Sequence, residues 1–283
     1  MIGLTTIAYM DSKLFKVGSI GDLTSAIAEI RSLRKGFITN FYLDPAKQAL
    51  WIAKGDCFTE IINESLFIIK RSSLFWNVFY CSTALEQLIS DLQVFQMNHS
   101  MQTAMFDIVG HKEQCVPIVE AFQTCNCEFV ASLVRMKRMT ADMSLIDSSD
   151  QSVLYADENS IPEINNLLHA FFNERTEQIP YFEELIIYSR RKQILVCEES
   201  GVLIGFLIFE PSPSSLYLRY WFIHPEYREK RVGSRLIRRF FEEGRKTKRQ
   251  ILWVVQSNEN AIKRYRHYGF TEENMYDFVL QFN

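Results

Sequence analysis

Two short segments in the last third of the chain carry the residues best suited to chemistry. The first leads from an apolar run ending at Ile223, through a basic loop, to Gly233 and Ser234. A strand that passes through such a loop into a helix offers backbone N–H groups and a helix dipole to an anion. The second segment contains Tyr265, and a phenol with a pKa of about 10 can give a proton to a leaving group. The two segments predict an anion-binding loop and a proton donor.

The elements that must position these segments follow one another regularly after residue 152. Asn159 and Ser160 offer an N-cap before a helix with Pro162 in its first turn. A turn signal between two apolar runs predicts a hairpin at 194–209. The full set of predicted strands is 153–156, 194–197, 202–209, 216–223, 250–255 and 275–282, and the predicted helices begin at 161, 181, 234 and 260.

The element order β-α-α-β-β-β-α-β-α-β resembles that of the GNAT N-acyltransferases, and two motifs strengthen the resemblance. One is Ile223-His-Pro-x-x-Arg-x-x-Arg-x-Gly-Ser, and the other is Asn258-x-x-Ala-x-x-x-Tyr-x-x-x-Gly-Phe. The family pattern Arg/Gln-x-x-Gly-x-Gly/Ala is matched by Arg228 and Gly233, whereas Arg231 replaces the first glycine. The resemblance covers residues 153–283 and implies an acyl-CoA co-substrate, either acetyl-CoA or another short acyl-CoA.

The resemblance assigns the three parts of the cofactor to separate segments. The pyrophosphate would lie on the loop and helix N-terminus, which comprise Arg228, Glu229, Lys230, Arg231, Val232, Gly233 and Ser234. Backbone groups of Phe222, Ile223 and His224 would bond the pantetheine arm, where the family separates two central strands. Asn258 would also bond this arm, and Ala261 is small enough to let the cofactor pass close to its helix.

The same resemblance implies the catalytic roles. The N–H of Ile223 would bond the thioester carbonyl and stabilise the oxyanion, and Tyr265 would protonate the leaving thiolate. Many relatives place a glutamate on the strand before the His-Pro bend, but the strand at 216–223 contains no acidic residue. Glu210, at the end of the preceding strand, is therefore the nearest candidate for the general base. A bound water, or an amine that is already neutral, would serve equally well.

The nature of the acceptor is left open by conflicting charges. Arg219, if it faces the acceptor site, indicates a substrate with a carboxylate or phosphate. Glu174 and Glu177, in the loop between the first two helices of this half, would instead meet a cationic amine. The acceptor is therefore predicted only as an amine, carried either by a small molecule or by a protein or peptide.

The first half of the chain repeats the pattern without the chemistry. Strands are predicted at 65–71, 75–80, 103–109 and 129–136, with helices at 84–95 and 116–122, and the strand at 129–136 would close this half. No glycine stands between Asp56 and Val109, although a phosphate-wrapping loop usually needs one. We therefore predict an α+β fold with tandem GNAT-like domains, each a mostly antiparallel central sheet flanked by helices. An unrelated α/β module is the alternative for residues 1–139, which precede a linker at 140–152 and the acyltransferase domain at 153–283.

Net charge, the length of apolar runs and cysteine spacing indicate whether nucleic acid, membrane or a metal ion is an expected partner. The net charge of −3 implies no general attraction to nucleic acid or membrane, and no apolar run reaches the roughly 18 residues of a membrane helix. The six cysteines are scattered, and the pair Cys125 and Cys127 has no second pair or nearby histidine that would favour a metal site. We expect reduced thiols, no metal and a cytoplasmic location. Residues 1–139 would form one wall of the acceptor pocket or a homodimer surface.

Two functions compete at this point. The first is an N-acyltransferase, most simply an N-acetyltransferase, that works by direct transfer in a ternary complex. No Gly-x-Ser-x-Gly sequence or paired Cys–His signature favours an acyl-enzyme. The alternative is a non-catalytic CoA-binding sensor or interaction module, which the missing strand carboxylate and the altered glycine favour.

Overall fold

A computed structural model describes residues 14–140 and 152–283. The predicted linker at 140–152 lies, apart from its two end residues, outside the described residues. Contacts divide the chain into two compact units, of which the first contains the described residues up to Val130 together with Asp277–Asn283, and the second contains Ala131–Tyr276. The domain boundaries at 139 and 153 stay a prediction.

The first unit is built from short strands and four helices. In chain order its elements are β1 (Phe15–Lys16), α1 (Ile20–Ser32), β2 (Ile38–Thr39), α2 (Pro45–Lys54), β3 (Cys57–Ile62), β4 (Ser65–Arg71), β5 (Trp76–Ser82), α3 (Leu85–Asn98), β6 (Ala104–Gly110) and α4 (Lys112–Thr124). Strands β1, β3, β4 and β5 pair antiparallel, and β5 then pairs parallel with β6. The strands and helices predicted between residues 65 and 124 are therefore present.

Local sequence explains how the first helices begin and end. The Ser19 hydroxyl accepts a hydrogen bond from the Asp22 N–H (3.1 Å) at the start of α1. Asp44 caps α2 in the same way, and Pro45 occupies the first turn, where its missing N–H costs nothing. Gly55 ends α2 with φ 76°, a left-handed conformation that glycine adopts without a Cβ penalty.

The second unit contains the predicted acyltransferase elements. They are β8 (Val153–Tyr155), α5 (Ile161–Phe171), α6 (Glu174–Glu177), α7 (Phe182–Arg190), β9 (Ile194–Glu199), β10 (Val202–Pro211), β11 (Ser215–Ile223), α8 (Val232–Glu243), β12 (Arg249–Val255), α9 (Glu259–His267) and β13 (Thr271–Phe282), and the unit also contains most of β7 (Glu128–Met139). Strands β7 and β13 each have residues in both units. The short helix α6 is the one element of this half that the sequence did not predict. The sheet order from β8 through β9, β10 and β11 to β12 is antiparallel except for the parallel pair β11–β12.

Alternation along β10 explains why helices cover both faces of this sheet. Leu207 and Phe209 pack in the core that contains α8, whereas Phe206 and Ile208 pack in the core that contains α5 and α7. Successive side chains of a strand point to opposite faces, so a continuous apolar strand must be covered twice. Gly205 allows a close approach on this strand, because a Cβ there would lie 2.9 Å from both the Phe222 carbonyl oxygen and Val232 Cγ1.

The partner of one strand differs from our prediction. We expected the strand at 129–136 to close the first half, but residues Leu133–Met139 pair antiparallel with β12 of the second unit. Val134 and Met136 accordingly lie in the second unit's core, while Leu280 and Phe282 of β13 lie in the core of the first. Both strands have a similar apolar alternation, so periodicity alone could not assign their partners.

The two units share one element order. Each has two principal helices, three antiparallel strands, a helix, a strand parallel to the third, a further helix and a final strand. The predicted mixed α/β fold, with mostly antiparallel strands flanked by helices, is confirmed. Among the described residues, no helix combines the length and hydropathy needed to span a bilayer.

Candidate active site

Strands β11 and β12 separate at the place that the sequence predicted for the cofactor. Their parallel pairing joins Ser215–Leu218 to Arg249–Leu252, and both strands then continue, β11 to Ile223 and β12 to Val255. The other edge of each strand remains paired, to β10 and β7 respectively. The separation therefore leaves a wedge between two fixed strands, lined by backbone groups of both.

The Ile223 N–H points into this wedge. The His224 N–H donates to the Ile204 carbonyl (3.0 Å), which makes His224 and Ile204 a hydrogen-bonded pair of the β10–β11 ladder. Pairs in an antiparallel ladder alternate between bonded and non-bonded types, so the neighbouring Ile223–Gly205 pair is non-bonded. Its N–H and carbonyl consequently face the opposite edge, towards β12. This geometry is the one that an oxyanion donor requires.

The other predicted ligands on β11 differ in their freedom. The Phe222 side chain is buried, so only backbone groups could contact a cofactor. The backbone N–H of His224 already donates to Ile204, and its carbonyl accepts from Tyr227 (2.9 Å). The contribution of His224 therefore stays a prediction, and its principal visible role is to fix the bend after β11.

The loop before α8 has the features of an anion site. Pro225–Lys230 forms a 3₁₀ turn, and Arg231 at the N-cap adopts φ 56°, the left-handed conformation that favours glycine. The arginine that replaces the family's first glycine therefore keeps the backbone shape. No side chain of the described residues caps α8, so its first N–H groups are left to other partners.

Cations surround this uncapped helix end. Arg228 and Arg231 are exposed, and neither forms an ion pair with a carboxylate of the described chain. Lys230 pairs with Glu199 (2.7 Å), and Glu229 is exposed. The Val232 side chain is buried in the core, so only its backbone could meet a phosphate. The loop thus combines two unpaired guanidinium groups with a positive helix end, which suits a pyrophosphate.

Gly233 and Ser234 join α8 to the rest of the site. A Cβ on Gly233 would lie 3.1 Å from Trp221 Cζ2 and 3.2 Å from Ile223 Cδ1, so this glycine lets α8 approach β11. The Ser234 hydroxyl lies 2.9 Å from the Tyr268 hydroxyl on the helix that carries Tyr265. This contact joins the first turn of α8, in the predicted phosphate loop, to Tyr268, which follows α9 directly.

Tyr265 is held by aromatic contacts over the same strand. Its ring centroid lies 5.8 Å from that of Trp221 and 6.0 Å from that of Phe270. Burial, followed by the charge of Glu177, raises the pKa of Tyr265 well above its usual range, so the phenol stays protonated at neutral pH. Gly269, with φ 82°, ends the helix and lets Phe270 turn back into the core. The Gly-Phe pair of the motif thus positions the tyrosine.

Asn258 and Ala261 have local structural roles as well. Asn258 caps α9, because its Oδ1 accepts a hydrogen bond from the Ala261 N–H (3.1 Å). Its amide NH₂ group is not used in that bond. Ala261 packs against the second unit's core without a long side chain. Their contacts with a pantetheine arm stay a prediction.

Glu210 is occupied by other partners. It accepts a hydrogen bond from the Tyr188 hydroxyl and forms an ion pair with Arg219 (Nε–Oε1, 3.5 Å). Arg219 is itself largely buried, and it packs over the rings of Tyr217 and Tyr220. Glu210 is thus already engaged by Tyr188 and Arg219. Its role as base stays a prediction.

Glu177 is the residue whose importance the sequence understated. Burial raises its pKa to about 7, in the range suited to accepting a proton at neutral pH. The Tyr220 hydroxyl donates to the Glu177 carbonyl (2.6 Å), which fixes this glutamate next to β11. The sequence signal was a carboxylate between two helices, and it gave no sign that the segment would fold onto the strand.

The corresponding wedge of the first unit is filled by its own chain. Strands β5 and β6 pair only at Trp76–Ala104 and Asn77–Met105 before they separate. The Asn40 side chain bridges the space beyond, accepting from the Tyr80 N–H (2.7 Å) and donating to the Asp107 carbonyl (2.9 Å). The first unit therefore keeps the strand geometry, but a protein amide occupies the position of a ligand.

The described residues give no metal site. Across 14–140 and 152–283, no group of three or more His, Cys, Asp or Glu side chains is placed to hold a metal ion. Cys125 and Cys127 are buried, and burial raises the pKa of Cys127 to about 12, so that thiol stays protonated. Both act as apolar core residues.

Comparison with known proteins agrees with this geometry. A family model described as the acetyltransferase (GNAT) family matches residues 161–270. The chain is 30% identical over 131 residues to an L-methionine sulfoximine/L-methionine sulfone acetyltransferase of Salmonella typhimurium, a match that covers 41% of this chain and 75% of that protein.

Solved structures extend the likeness in fold to both units. A GCN5-related N-acetyltransferase from Sphaerobacter thermophilus has a TM-score of 0.58 at 11% identity, covering 87% of this chain and 95% of that one. A tandem GNAT protein from the clavulanic acid biosynthesis pathway has a TM-score of 0.58 at 10% identity, covering 95% of this chain and 98% of that one. This chain belongs to the GNAT acetyltransferase family, whose members use acyl-CoA co-substrates.

Proposed function

We propose that the second unit transfers an acetyl group, or another short acyl group, from the thioester of coenzyme A to an amine. The observation that carries this proposal is the wedge between β11 and β12, with the Ile223 N–H directed into it. Tyr265 lies above the same strand, through its contact with Trp221. A donor for the oxyanion and a protonated phenol are the groups that thioester aminolysis requires.

The reaction proceeds within a ternary complex. The amine nitrogen attacks the thioester carbonyl, and the Ile223 N–H stabilises the developing oxyanion. As the C–S bond breaks, Tyr265 protonates the departing thiolate. Arg228, Arg231 and the uncapped end of α8 hold the pyrophosphate, which fixes the thioester beside Ile223. The scattered, buried cysteines suit the reducing cytoplasm as the place of this activity.

A small amino-acid-like amine is the acceptor class we propose to test first. The similar Salmonella protein is named for acetylating L-methionine sulfoximine and L-methionine sulfone, which are α-amino acids. In this chain, Arg219 stands on β11 and Glu177 is anchored to the same strand through Tyr220, so both signs of charge are available for an amine that also carries a carboxylate. Protein and peptide amines form the second class.

A CoA-binding sensor is the competing function. It is favoured by β11, on which Arg219 stands where a carboxylate is found in many relatives, and by the engagement of Glu210 with Tyr188 and Arg219. A sensor would bind acetyl-CoA through the same loop but would release no coenzyme A with any amine.

The test is calorimetric titration of the purified protein with acetyl-CoA, followed by assay of coenzyme A release with L-methionine sulfone and a panel of primary amines. We expect Arg228→Ala to weaken binding about tenfold, because a charge-assisted hydrogen bond contributes about 1.5–3 kcal/mol. Arg191→Ala is the matched control. It removes the same charge from an exposed arginine that precedes β9 and lies outside the predicted phosphate loop. Wild-type protein that fails to bind acetyl-CoA would refute the proposal, and binding without turnover would support the sensor.

A further inference from the structure

An acyltransferase that uses amines needs a group to remove a proton, since an ammonium ion has no lone pair for attack. Strand β11 offers Tyr217, Arg219 and Tyr220 at the wedge but no carboxylate. Glu210 on β10 is held by the Tyr188 hydroxyl and the Arg219 guanidinium. A carboxylate committed to an arginine has less tendency to take a proton. Another group must therefore be considered.

Glu177 is the last residue of the short helix α6, and a hydrogen bond from Tyr220 joins this helix end to β11. The Tyr220 hydroxyl lies within hydrogen-bond distance of two consecutive carbonyls, those of Glu177 (2.6 Å) and Gln178 (3.0 Å). Gln178 has φ 35°, a left-handed conformation that turns the chain directly after Glu177. Tyr220 follows Leu218, the last residue of β11 paired with β12, by two positions. The anchor thus lies where the two strands begin to separate.

The Glu177 carboxylate lies on the segment that Tyr220 anchors to β11. In the described part of the chain, no hydrogen bond or ion pair engages this carboxylate. After the larger effect of burial, its charge also contributes to raising the pKa of Tyr265 and that of Tyr220. Burial raises the pKa of Glu177 itself to about 7. Glu177 therefore has a half-buried carboxyl group whose oxygens accept no hydrogen bond within the described part of the chain.

We propose that Glu177 is the general base that deprotonates the acceptor amine. This inference rests on the proposed function, because it assigns a role in the same transfer. The Glu177 segment is bonded to Tyr220 of β11, and Tyr265 of α9 packs on Trp221 of the same strand, so the base and the acid come from two elements that both contact β11. Proton removal and proton donation are thereby assigned to two different residues.

The step balances in protons and electrons. The acceptor ammonium gives one proton to the Glu177 carboxylate, and the neutral nitrogen then forms a C–N bond to the thioester carbonyl carbon. The C–S bond breaks, and its electron pair leaves with sulfur. Tyr265 gives its proton to that sulfur and regains one from the nitrogen. An ammonium and a thioester thus yield an amide, a thiol and one proton, which Glu177 releases to solvent.

The charged and titratable groups around Glu177 come from β11 and α9. They are Tyr217, Arg219 and Tyr220 on β11 and Arg264 and Tyr265 on α9. On its own helix α6, Glu174 lies against His169, and Arg175 stands between the two glutamates. Burial raises the pKa of Tyr220 and that of Tyr265 well above their usual range, so both phenols keep their protons while Glu177 gains or loses its own.

The experiment is the pH dependence of kcat/KM for the amine in wild type and Glu177→Gln, with acetyl-CoA and L-methionine sulfone, or the best amine of the panel. Below its pKa the wild-type carboxyl group is protonated and cannot act as a base, so activity falls as pH drops through about 7. We expect Glu177→Gln to lose about 100-fold in kcat/KM at pH 7.5, and to lose that acidic limb. The affinity for acetyl-CoA, measured by calorimetry, stays unchanged.

Two further variants separate chemistry from structure. Glu163→Gln makes the same change on the exposed surface of α5 and keeps the wild-type profile. Glu177→Ala leaves space at the end of α6, and added acetate or formate restores part of its activity, which a purely structural defect would not allow. A Glu177→Gln enzyme with wild-type rate and an intact limb near pH 7 overturns the assignment, as does parallel loss of acetyl-CoA binding. Wild-type protein that turns over no amine refutes the proposed function instead.

Discussion

Tyr265 shows how neighbours give one residue its function. A tyrosine on an amphipathic helix is ordinarily a packing residue, and Tyr265 does pack, against Trp221 and Phe270. Its hydroxyl, however, has Glu177 among its electrostatic neighbours, and burial raises its pKa. Such a phenol keeps its proton until a strong base, such as a departing thiolate, forms beside it.

Removing this hydroxyl separates turnover from binding. We expect Tyr265→Phe to lower kcat by at least about tenfold, because general acid catalysis contributes about 10²–10⁴-fold. The affinity for acetyl-CoA stays close to wild type, since the ring contacts with Trp221 and Phe270 persist. Steady-state kinetics and calorimetry on the same preparations measure both quantities.

Tyr268→Phe is the matched control for that change. Tyr268 follows α9 directly, and its hydroxyl meets Ser234 rather than Glu177. We expect its kcat to stay within about threefold of wild type, while the loss of one hydrogen bond costs about 1 kcal/mol of stability. Equal losses of kcat in the two variants would contradict the role assigned to Tyr265.

Arg231 illustrates a conformation that residue type alone did not reveal. The family pattern has glycine here, and its replacement by arginine suggested reduced backbone freedom. In the structure, Arg231 nevertheless takes φ 56°, at a cost of about 1–2 kcal/mol for a residue with a Cβ. Strain of this kind is often kept at functional sites, where surrounding contacts enforce it. The same replacement places a guanidinium beside the uncapped end of α8.

At the scale of elements, the contact between α8 and β11 sets the distance between the two sides of the proposed cofactor site. The first turn of α8 lies against Trp221 and Ile223, and Gly233 provides the space. The Trp221 side chain has little room to move, because the rings of Tyr265 and Tyr268 pack against it at centroid distances of 5.8 Å each. A side chain at position 233 must therefore displace either the tryptophan or the helix.

This packing predicts the effect of adding one methyl group. We expect Gly233→Ala to lower the free energy of unfolding by about 1–2 kcal/mol through overpacking, and to weaken acetyl-CoA binding as the N–H groups of α8 move. Gly21→Ala is the control, because Gly21 is likewise the second residue of its helix, α1, and its Cβ would meet nothing closer than 3.4 Å. There the change is neutral or stabilises by up to about 1 kcal/mol. Denaturant unfolding and calorimetry on both variants decide the matter, and equal behaviour would refute it.

For the whole molecule, the repeated fold does not mean a repeated site. In the first unit, segment 36–41 covers the positions that a cofactor would need. Thr39 and Asn40 bind the Tyr80 backbone, and a Cβ on Gly36 would lie 2.6 Å from the Thr83 carbonyl oxygen, just before α3. The first unit has thus satisfied internally the backbone groups that the second unit leaves exposed.

We therefore expect one acetyl-CoA to bind per chain. Calorimetric titration gives the stoichiometry directly, and Arg228→Ala shows which unit holds the ligand. If both units bound the cofactor, the titration would give two equivalents, and Arg228→Ala would leave one of them intact. A single binding event that Arg228→Ala weakens is the expected result, because only the second unit combines an open wedge with a cationic helix end.

The sequence by itself determined the family and the element order, and it predicted the residues of the cofactor loop. Apolar periodicity gave the strands and helices, because packing against one core imposes a fixed repeat on each kind of element. Motif spacing gave Arg228, Gly233, Asn258 and Tyr265, because their roles depend on local positions at the ends of a strand and a helix.

Only the tertiary structure decided which distant elements meet. It assigned β7 to the second unit's sheet, because two strands with similar alternation cannot be distinguished by periodicity. It placed Asn40 in the first unit's wedge, a contact between residues 40 and 67 positions apart in the chain. It also brought Glu177 onto β11 through the Tyr220 hydroxyl, 43 residues away in the chain. These outcomes depend on long-range packing, which no local sequence pattern encodes.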